Sequence, residues 1–185
     1  SGSNNSNNTG PDDDVSGGGN YVFTEASSVN TGSLAFLNTP QIDLSPLSTP
    51  RMKISYHMFG AGMGTFKVEV KEVSAGTYNT EFTVSGEQQT AESDAFIEQI
   101  IDLSAYAGQT VDIRFTGERG NDFTSDIAID QFEVFEQANC QKPTNIIVDV
   151  IVGTEAELSW DASSSLPANG YDWEIVPAGD GQGNN

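Results

Sequence analysis

The stretch 56-YHMFGAGMGTFKV-68 decides the fold of this chain, because a glycine-rich turn at its centre separates two strongly alternating segments. Before the turn, every second residue of 52–58 is apolar, and after it the same holds for 66–71. A period of two puts the apolar side chains on one face of a β-strand. The stretch therefore predicts two half-buried strands joined as a hairpin.

The same period of two continues on both sides of this stretch, in short runs broken by Gly, Pro, Asn and Ser. Nowhere does an apolar stripe with helical spacing persist for three turns. Short strands with closely spaced turn signals are typical of a two-sheet sandwich, so we expect an all-β fold. The further predicted strands are 21–25, 33–37, 80–84, 96–103, 111–115 and 127–135.

The pattern predicts two domains, 1–139 and 140–185. The opening segment SGSNNSNNTGPDDD has no apolar periodicity and is predicted to be loop. Cys140 and Pro143 interrupt the alternation, which resumes in NIIVDVIVG, AELSW and YDWEIV. This second part is about half the size that a small sandwich needs for a closed core.

As the single cysteine, Cys140 is expected to be a free thiol or half of an intermolecular bridge.

The net charge of the chain limits the classes of partner that it can bind. The 185 residues carry 27 Asp and Glu against 7 Lys and Arg, a net charge of -20. Such a chain repels phosphate backbones and anionic membranes, so we expect no nucleic-acid partner and favour divalent cations. No apolar run approaches the roughly 20 residues of a membrane helix, and Ser1 to Gly10 lacks the features of a signal peptide. We expect no membrane insertion, and a chain already processed or internal to a longer one.

Four blocks of the sequence, in matching order and spacing, resemble the MAM family. The central one is the stretch at 56–68, with its Tyr-His-Met, its aromatic-Gly pair and its Met-Gly before an alternating strand. The others are SGSNNSNNTGPDDDVSGGGNYVFTEAS, LNTPQIDLS and VDIRFTGERGNDFTSDIAIDQFEV, and together the blocks span 1–136.

This resemblance implies a jelly-roll-like β-sandwich that acts as a non-catalytic adhesion or assembly module in a larger secreted or cell-surface protein. The cysteines that pair in animal MAM domains are replaced here, a form similar to bacterial members of the family. The resemblance also implies a first strand ahead of Ser1, without which an edge or a strip of core is left uncovered. Residues 140–185 resemble the first half of a fibronectin type III domain, with Pro143, Trp160 and GYDWEI at 170–175.

The residues that an enzyme needs are not evident in the sequence. His57 is the only histidine, which excludes a metalloprotease His pair, and its place in the hairpin favours a structural role. With so many acids, paired carboxylates are expected by chance, and neither GERGNDF nor GAGMG precedes a predicted helix as a phosphate loop does. We predict that the chain is not an enzyme, although its parent protein can carry a catalytic domain elsewhere.

The acidic residues predict a structural calcium ion. In AIDQFEV, strict alternation puts Asp130 on the same face as Phe132, and a carboxylate on a core face needs a cation. Glu25 ends a predicted strand, and Asp12 and Asp14 lie in an oxygen-rich loop. A hard cation with six to eight oxygen ligands would satisfy all four acids, and jelly-roll domains similar to MAM often hold one.

The alternative to this calcium site is a β-bulge after Ile129. A bulge would reverse the alternation and turn Asp130 to solvent, and the acids of 12–14 would then be no more than a solvated loop.

The preferred partner is another protein chain or a second copy of this one. The alternative is a carbohydrate-binding or ancillary module of a secreted hydrolase or metalloprotease. Strand edges and apolar side chains of the short second part predict packing against the first domain, another copy or a neighbouring protein. The candidate residues for a glycan-binding platform are Tyr78, Phe82, Tyr106 and Phe123. The apolar side chains of the short second part, which we call the tail surface, are Ile146, Val148, Trp160 and Trp173.

Overall fold

The computed structural model describes residues 6–137, 144–152 and 155–161. The described part is built from antiparallel strands with one short 3-10 turn, which confirms the predicted all-β sandwich. The chain divides into two compact units, Ser1–Gln137 and Ala138–Asn185.

The first unit contains two antiparallel sheets. One sheet has the strand order β1-β9-β4-β7, and the other has β2-β8-β5-β6 with β3 paired to β8. The first sheet consists of β1 (Val22–Phe23), β4 (Pro50–His57), β7 (Ile97–Asp102) and β9 (Ala128–Glu136). The second consists of β2 (Leu34–Asn38), β3 (Ile42–Asp43), β5 (Thr65–Glu72), β6 (Asn79–Ser85) and β8 (Thr110–Glu118), and the 3-10 turn is Ser104–Tyr106.

The predicted hairpin at 56–68 is wrong. Strand β4 pairs with β7 and β9, whereas β5 pairs with β6 and β8, so the two strands lie in different sheets. Alternation predicts where a strand lies and which face is buried, but it carries no information on which strand is the neighbour. The glycine-rich turn therefore carries the chain across the sandwich from one sheet to the other.

The apolar faces of the two sheets form the core between them. Met52 and Ile54 of β4 and Phe66, Val68 and Val70 of β5 are buried, as the alternation predicts. The remaining core side chains come from β7, β8 and the loops, including Leu44, Ile101, Leu103, Tyr106, Val111, Ile113, Phe115 and Ile127.

The turn at 60–64 packs directly on the loop at 118–126. The Gly62 N–H donates to Thr124 Oγ1 at 2.8 Å, and the Gly64 N–H donates to Ser125 Oγ at 3.1 Å. A Cβ at Gly64 would lie 1.8 Å from the Glu118 carbonyl oxygen. Only glycine allows such an approach, so the backbone of the turn fixes the loop that leads into β9.

A β-bulge interrupts the pairing of β9 with β4. Lys53 pairs with Glu133 and Ser55 with Asp130, so two residues of β9 oppose the single residue between them on β4. Gln131, inside the bulge, has a left-handed φ of 51°. One extra residue reverses the alternation.

The bulge changes the position of Asp130. Ile129 packs against the core beside Tyr56, so its neighbour Asp130 faces the other side of the sheet. The prediction that Asp130 shares the face of Phe132 and points inward is therefore wrong, and the alternative with a bulge after Ile129 describes the strand.

The described residues of the second unit form an antiparallel pair, β10 (Thr144–Val152) with β11 (Glu155–Asp161). Within it, Ile146 and Trp160 are 64% and 46% exposed. The predicted third strand with Trp173, and Cys140, lie outside the described residues. What covers the tail surface therefore stays a prediction.

Candidate interaction surface and acidic sites

Among the described strands, β1 ends the first sheet and β2 ends the second on the same side of the sandwich. A groove of about 290 Å³ lies there between Val22 and Phe36, and core side chains such as Phe66 line its floor. A second groove of about 310 Å³ continues from it past Asn38. The two share four lining residues, Val22, Leu37, Phe115 and Ile129, and so form one continuous channel, which we call the edge groove.

The strands beside the edge groove expose large apolar side chains. All five residues of β2 are exposed, with Leu34 at 52% and Phe36 at 51%. Val22 of β1 is also 52% exposed. We call these exposed side chains the apolar strip, and exposed apolar side chains grouped on neighbouring strands are typical of interaction surfaces. The sequence pattern predicted a strand here but did not show that β8 is its sole partner among the described strands.

The four predicted calcium ligands do not meet in one centre. Glu25 lies beside Asp126, whereas Asp130 lies four residues further along β9, about 13 Å away at the rise of a strand. Asp14 accepts from the Ser16 hydroxyl at 2.7 Å and from the Gly18 N–H, and these bonds lower its pKa. Within the described part of the chain, no three acidic, histidine or cysteine side chains are grouped to hold a metal.

Asp130 does contact the predicted acidic loop, but through backbone groups. One carboxylate oxygen accepts from the Val15 N–H at 3.1 Å and the other from the Gln131 N–H at 2.7 Å. Both carboxylate oxygens of Asp130 therefore already accept hydrogen bonds. These bonds hold the loop at Val15 and the bulge at Gln131 in place. Asp12 lies in the same loop and lines a small cavity of about 170 Å³ with Asp94.

Asp126 is the buried acid that sequence reasoning missed. Its side chain is fully buried and accepts from the Ala26 N–H at 2.8 Å, while its own N–H donates to Thr9 Oγ1. Burial raises the pKa of Asp126 to about 6, and repulsion from Glu25 adds to the rise. Because Asp126 precedes β9 in a loop, no strand pattern marks it as buried.

His57 is buried and packs 5.3 Å from the ring of Phe96. Neither ring nitrogen has a hydrogen-bond partner within the described residues. Burial lowers the pKa of His57, and the nearby Asp94 opposes this effect. A side chain that no substrate can reach is not available as a general base.

Two of the four predicted glycan-platform residues are not available. Tyr106 is 4% exposed and donates its hydroxyl to Glu81, and Phe82 packs against the core beside Tyr56. Phe123 is 49% exposed. Tyr78 is partly exposed and lies against the guanidinium of Arg114, 4.1 Å from its ring centroid.

In the part of the chain that the structure describes, no helix has the length and apolar character needed to cross a membrane.

Comparisons with known proteins identify the first unit. Residues 1–141 match the MAM domain, meprin/A5/mu. The chain is 28% identical to mouse neuropilin-1 over 170 residues, which are 90% of this chain and 17% of that protein. It is 36% identical to neuropilin-1 of Xenopus laevis over 81 residues, 43% of this chain and 9% of that protein. The chain thus spans less than a fifth of the length of these relatives. The likeness to bacterial members and to a fibronectin type III half stay predictions. Because the match at 1–141 covers most of the chain, this protein belongs to the MAM family.

Proposed function

We propose that this chain is a non-catalytic protein-interaction module of a larger secreted or cell-surface protein. Its family and its similarity to neuropilin-1 support an extracellular setting. The apolar strip beside the edge groove is the observation that carries the proposal, because such strips are found where proteins bind one another.

Binding to purified proteins tests this function. The chain, immobilised on a sensor surface, is exposed to a panel of secreted and cell-surface proteins and to a glycan array, and chain-coated beads are scored for aggregation. We expect saturable binding to a protein or self-aggregation of the beads. Saturable binding to glycans alone would instead favour the carbohydrate-binding module, with Phe123 and Tyr78 as its remaining aromatic candidates.

The purified chain is expected to have no hydrolytic activity on peptide or glycan substrates. Its one histidine is enclosed, and the carboxylates of Asp126 and Asp130 accept hydrogen bonds from backbone groups of the fold. The measurement is turnover of fluorogenic peptide and glycoside substrates, compared with a boiled sample. Turnover that copurifies with the chain and disappears in Asp126→Asn or Asp130→Asn would contradict the proposal.

We also propose that the domain binds calcium at Glu25 and Asp126, in place of the full set expected from the sequence. The carboxylate of Asp126 is buried and repelled by Glu25, and a divalent cation would stabilise both charges. Calcium can combine carboxylate, backbone and water oxygens as ligands.

Calcium should therefore raise the melting temperature of the chain, and a chelator should lower it. An ion that binds only the folded state stabilises it by about 2.7 kcal/mol at a hundred times its Kd. Asp126→Asn should abolish the calcium-dependent shift, whereas Asp130→Asn should keep it. A shift that is absent in the parent, or lost only in Asp130→Asn, would contradict this placement.

A further inference from the structure

His57 lies on the outer face of the first sheet. Its neighbour on β4, Tyr56, packs in the core, so the alternation of the strand turns His57 away from the core. A side chain on the outer face of a sandwich normally meets water, yet His57 is 0% exposed. Something other than the second sheet therefore covers it.

Two loop segments provide this cover, 89–96 between β6 and β7 and 8–12 near the amino end. The Phe96 ring lies 5.3 Å from the imidazole. The buried side chain of Gln89 accepts from the Met58 N–H at 2.7 Å, which ties its loop to the residue that follows β4. We call the two segments together the cover.

The two segments of the cover are bonded to each other and to the sheet. Glu92 accepts from the Asn8 N–H at 2.6 Å through its carboxylate and from the Asp12 N–H at 3.1 Å through its carbonyl. Between these bonds, the Gly10 N–H donates to the Phe59 carbonyl at 3.0 Å. Because each segment holds the other, we expect the cover to open as one piece.

The imidazole beneath the cover has no hydrogen-bond partner at either nitrogen within the described residues. Burial lowers the pKa of His57, and the backbone of Asp94 and Ala91 opposes this effect without outweighing it. The charged groups that act on the ring are the carboxylates of Asp94 and Asp12, one in each segment of the cover. On β9, the residue paired with His57 is the uncharged Ala128.

Protonation of this ring favours a conformation in which it meets water. Charging a buried group that lacks partners is costly, whereas an imidazole in water takes up a proton near its ordinary pKa of 6.5. Above pH 6.5 the ring is neutral in both conformations and the cover stays closed. Below it, the open conformation binds the proton more tightly, so its population grows. Opening the cover is enough, because His57 is separated from the core by its own sheet.

Asp126 titrates in the same range but acts in the opposite direction. Its pKa is raised to about 6, so the folded conformation gains stability as this carboxyl takes up a proton. Opening in acid therefore cannot come from Asp126. The chain has a single histidine, so replacing His57 should abolish the effect.

We propose that the cover over His57 is an acid-sensitive switch, closed at neutral pH and released at mildly acidic pH when the imidazole takes up a proton. Release exposes the ring of Phe96 and the outer face at the end of β4. This inference goes beyond the proposed function and does not depend on the identity of a partner.

Hydrogen exchange of the native full chain, read by mass spectrometry at pH 7.5 and 5.0, tests the switch. Dividing each rate by that of an unstructured amide at the same pH gives the opening equilibrium. Peptides that contain the Met58, Gly10 and Asp12 N–H groups should open at least about fivefold more at pH 5.0, up to a ceiling of about thirtyfold. Peptides from β5 and β8 should keep their protection.

Two variants separate the titration of the ring from the strength of the cover. His57→Phe keeps an aromatic ring against Phe96 but cannot take up a proton, so it should show no increase in opening at pH 5.0. Glu92→Ala removes the bond to Asn8 and should open more at both pH values while keeping the acid response. If urea unfolding shows that His57→Phe is unfolded, His57→Gln replaces it, with the same absence of an acid response expected.

The remaining outcomes also decide. An acid response of equal size in the parent and in the folded His57 variant, or no response in the parent, overturns the proposal. Equal loss of protection in the cover and in β5 and β8 shows global unfolding and overturns it as well. Partner binding on the protein panel is measured separately at neutral pH, so its failure would overturn the proposed function alone.

Discussion

Replacing Gly64 by alanine should lower the free energy of unfolding of the first unit by about 3 kcal/mol. The new Cβ would lie 1.8 Å from the Glu118 carbonyl oxygen and 2.6 Å from the Gly120 nitrogen. Both are backbone atoms, which no rotamer change can move aside. Turn and loop must separate, and the hydrogen bonds from Gly62 and Gly64 to the loop hydroxyls are lost with the contact.

Urea unfolding followed by intrinsic fluorescence measures this change, and a melting temperature lower by about 10 °C is the matching thermal result. Gly76→Ala is the control. Nothing lies within 4 Å of a Cβ built at Gly76, so the same substitution there should be close to neutral. Similar stabilities of the two variants would show that the close approach of turn and loop is not needed.

Replacing Asp126 by asparagine should change how stability depends on pH by up to about 3 kcal/mol. The pKa of Asp126 is raised from 3.8 to about 6 in the folded chain. A carboxyl with a raised pKa binds its proton more tightly when folded, so it stabilises most below about pH 4. That contribution is lost as pH rises through 6.

The measurement is the difference in unfolding free energy between the parent and Asp126→Asn, from pH 3.5 to 7.5 in a chelating buffer. Relative to the variant, the parent should lose stability as the pH rises. His57 has a lowered pKa and acts in the opposite direction, losing stability as pH falls below 6.5, but it cancels in the difference. Glu25→Gln should move the transition to lower pH because it removes the repelling carboxylate. A difference that stays flat across the range would contradict the buried charge.

Strands β4 and β5 were predictable because each buries one face, so that in β4 Met52, Ile54 and Tyr56 alternate with polar neighbours. The strands that pair with β4 could not be predicted, since strand pairing depends on residues far along the chain. Asp130 was wrongly predicted to face the core because the sequence gives no sign of the bulge. Gln131 adopts a left-handed backbone conformation there, and glutamine is not a residue type that usually does so.

The candidate sites, like the strands, could be predicted from the sequence only in part. His57 could be assigned a structural role because it is the only histidine and stands in the family-like stretch, but its burial was not predictable, since 54–57 are all buried where alternation would expose every second residue. Asp126 could not be recognised, because its hydrogen-bond partners Thr9 and Ala26 lie a hundred or more residues earlier in the chain. An uncovered edge could be expected only from the family resemblance, which implies a further strand ahead of Ser1.

The pairing of early strands with late ones also bears on how the chain folds. Strand β2 has β8 as its described partner, more than seventy residues later, and β4 lies between β7 and β9. The second sheet cannot close until β8, which ends at Glu118, has left the ribosome, and the first cannot close until β9, which ends at Glu136, has done so. Such non-local topology predicts slow folding, on the order of milliseconds to seconds. During synthesis, the edge of β2 that pairs with β8 stays open until β8 is made, so this short apolar segment is prone to misassociation in a nascent chain.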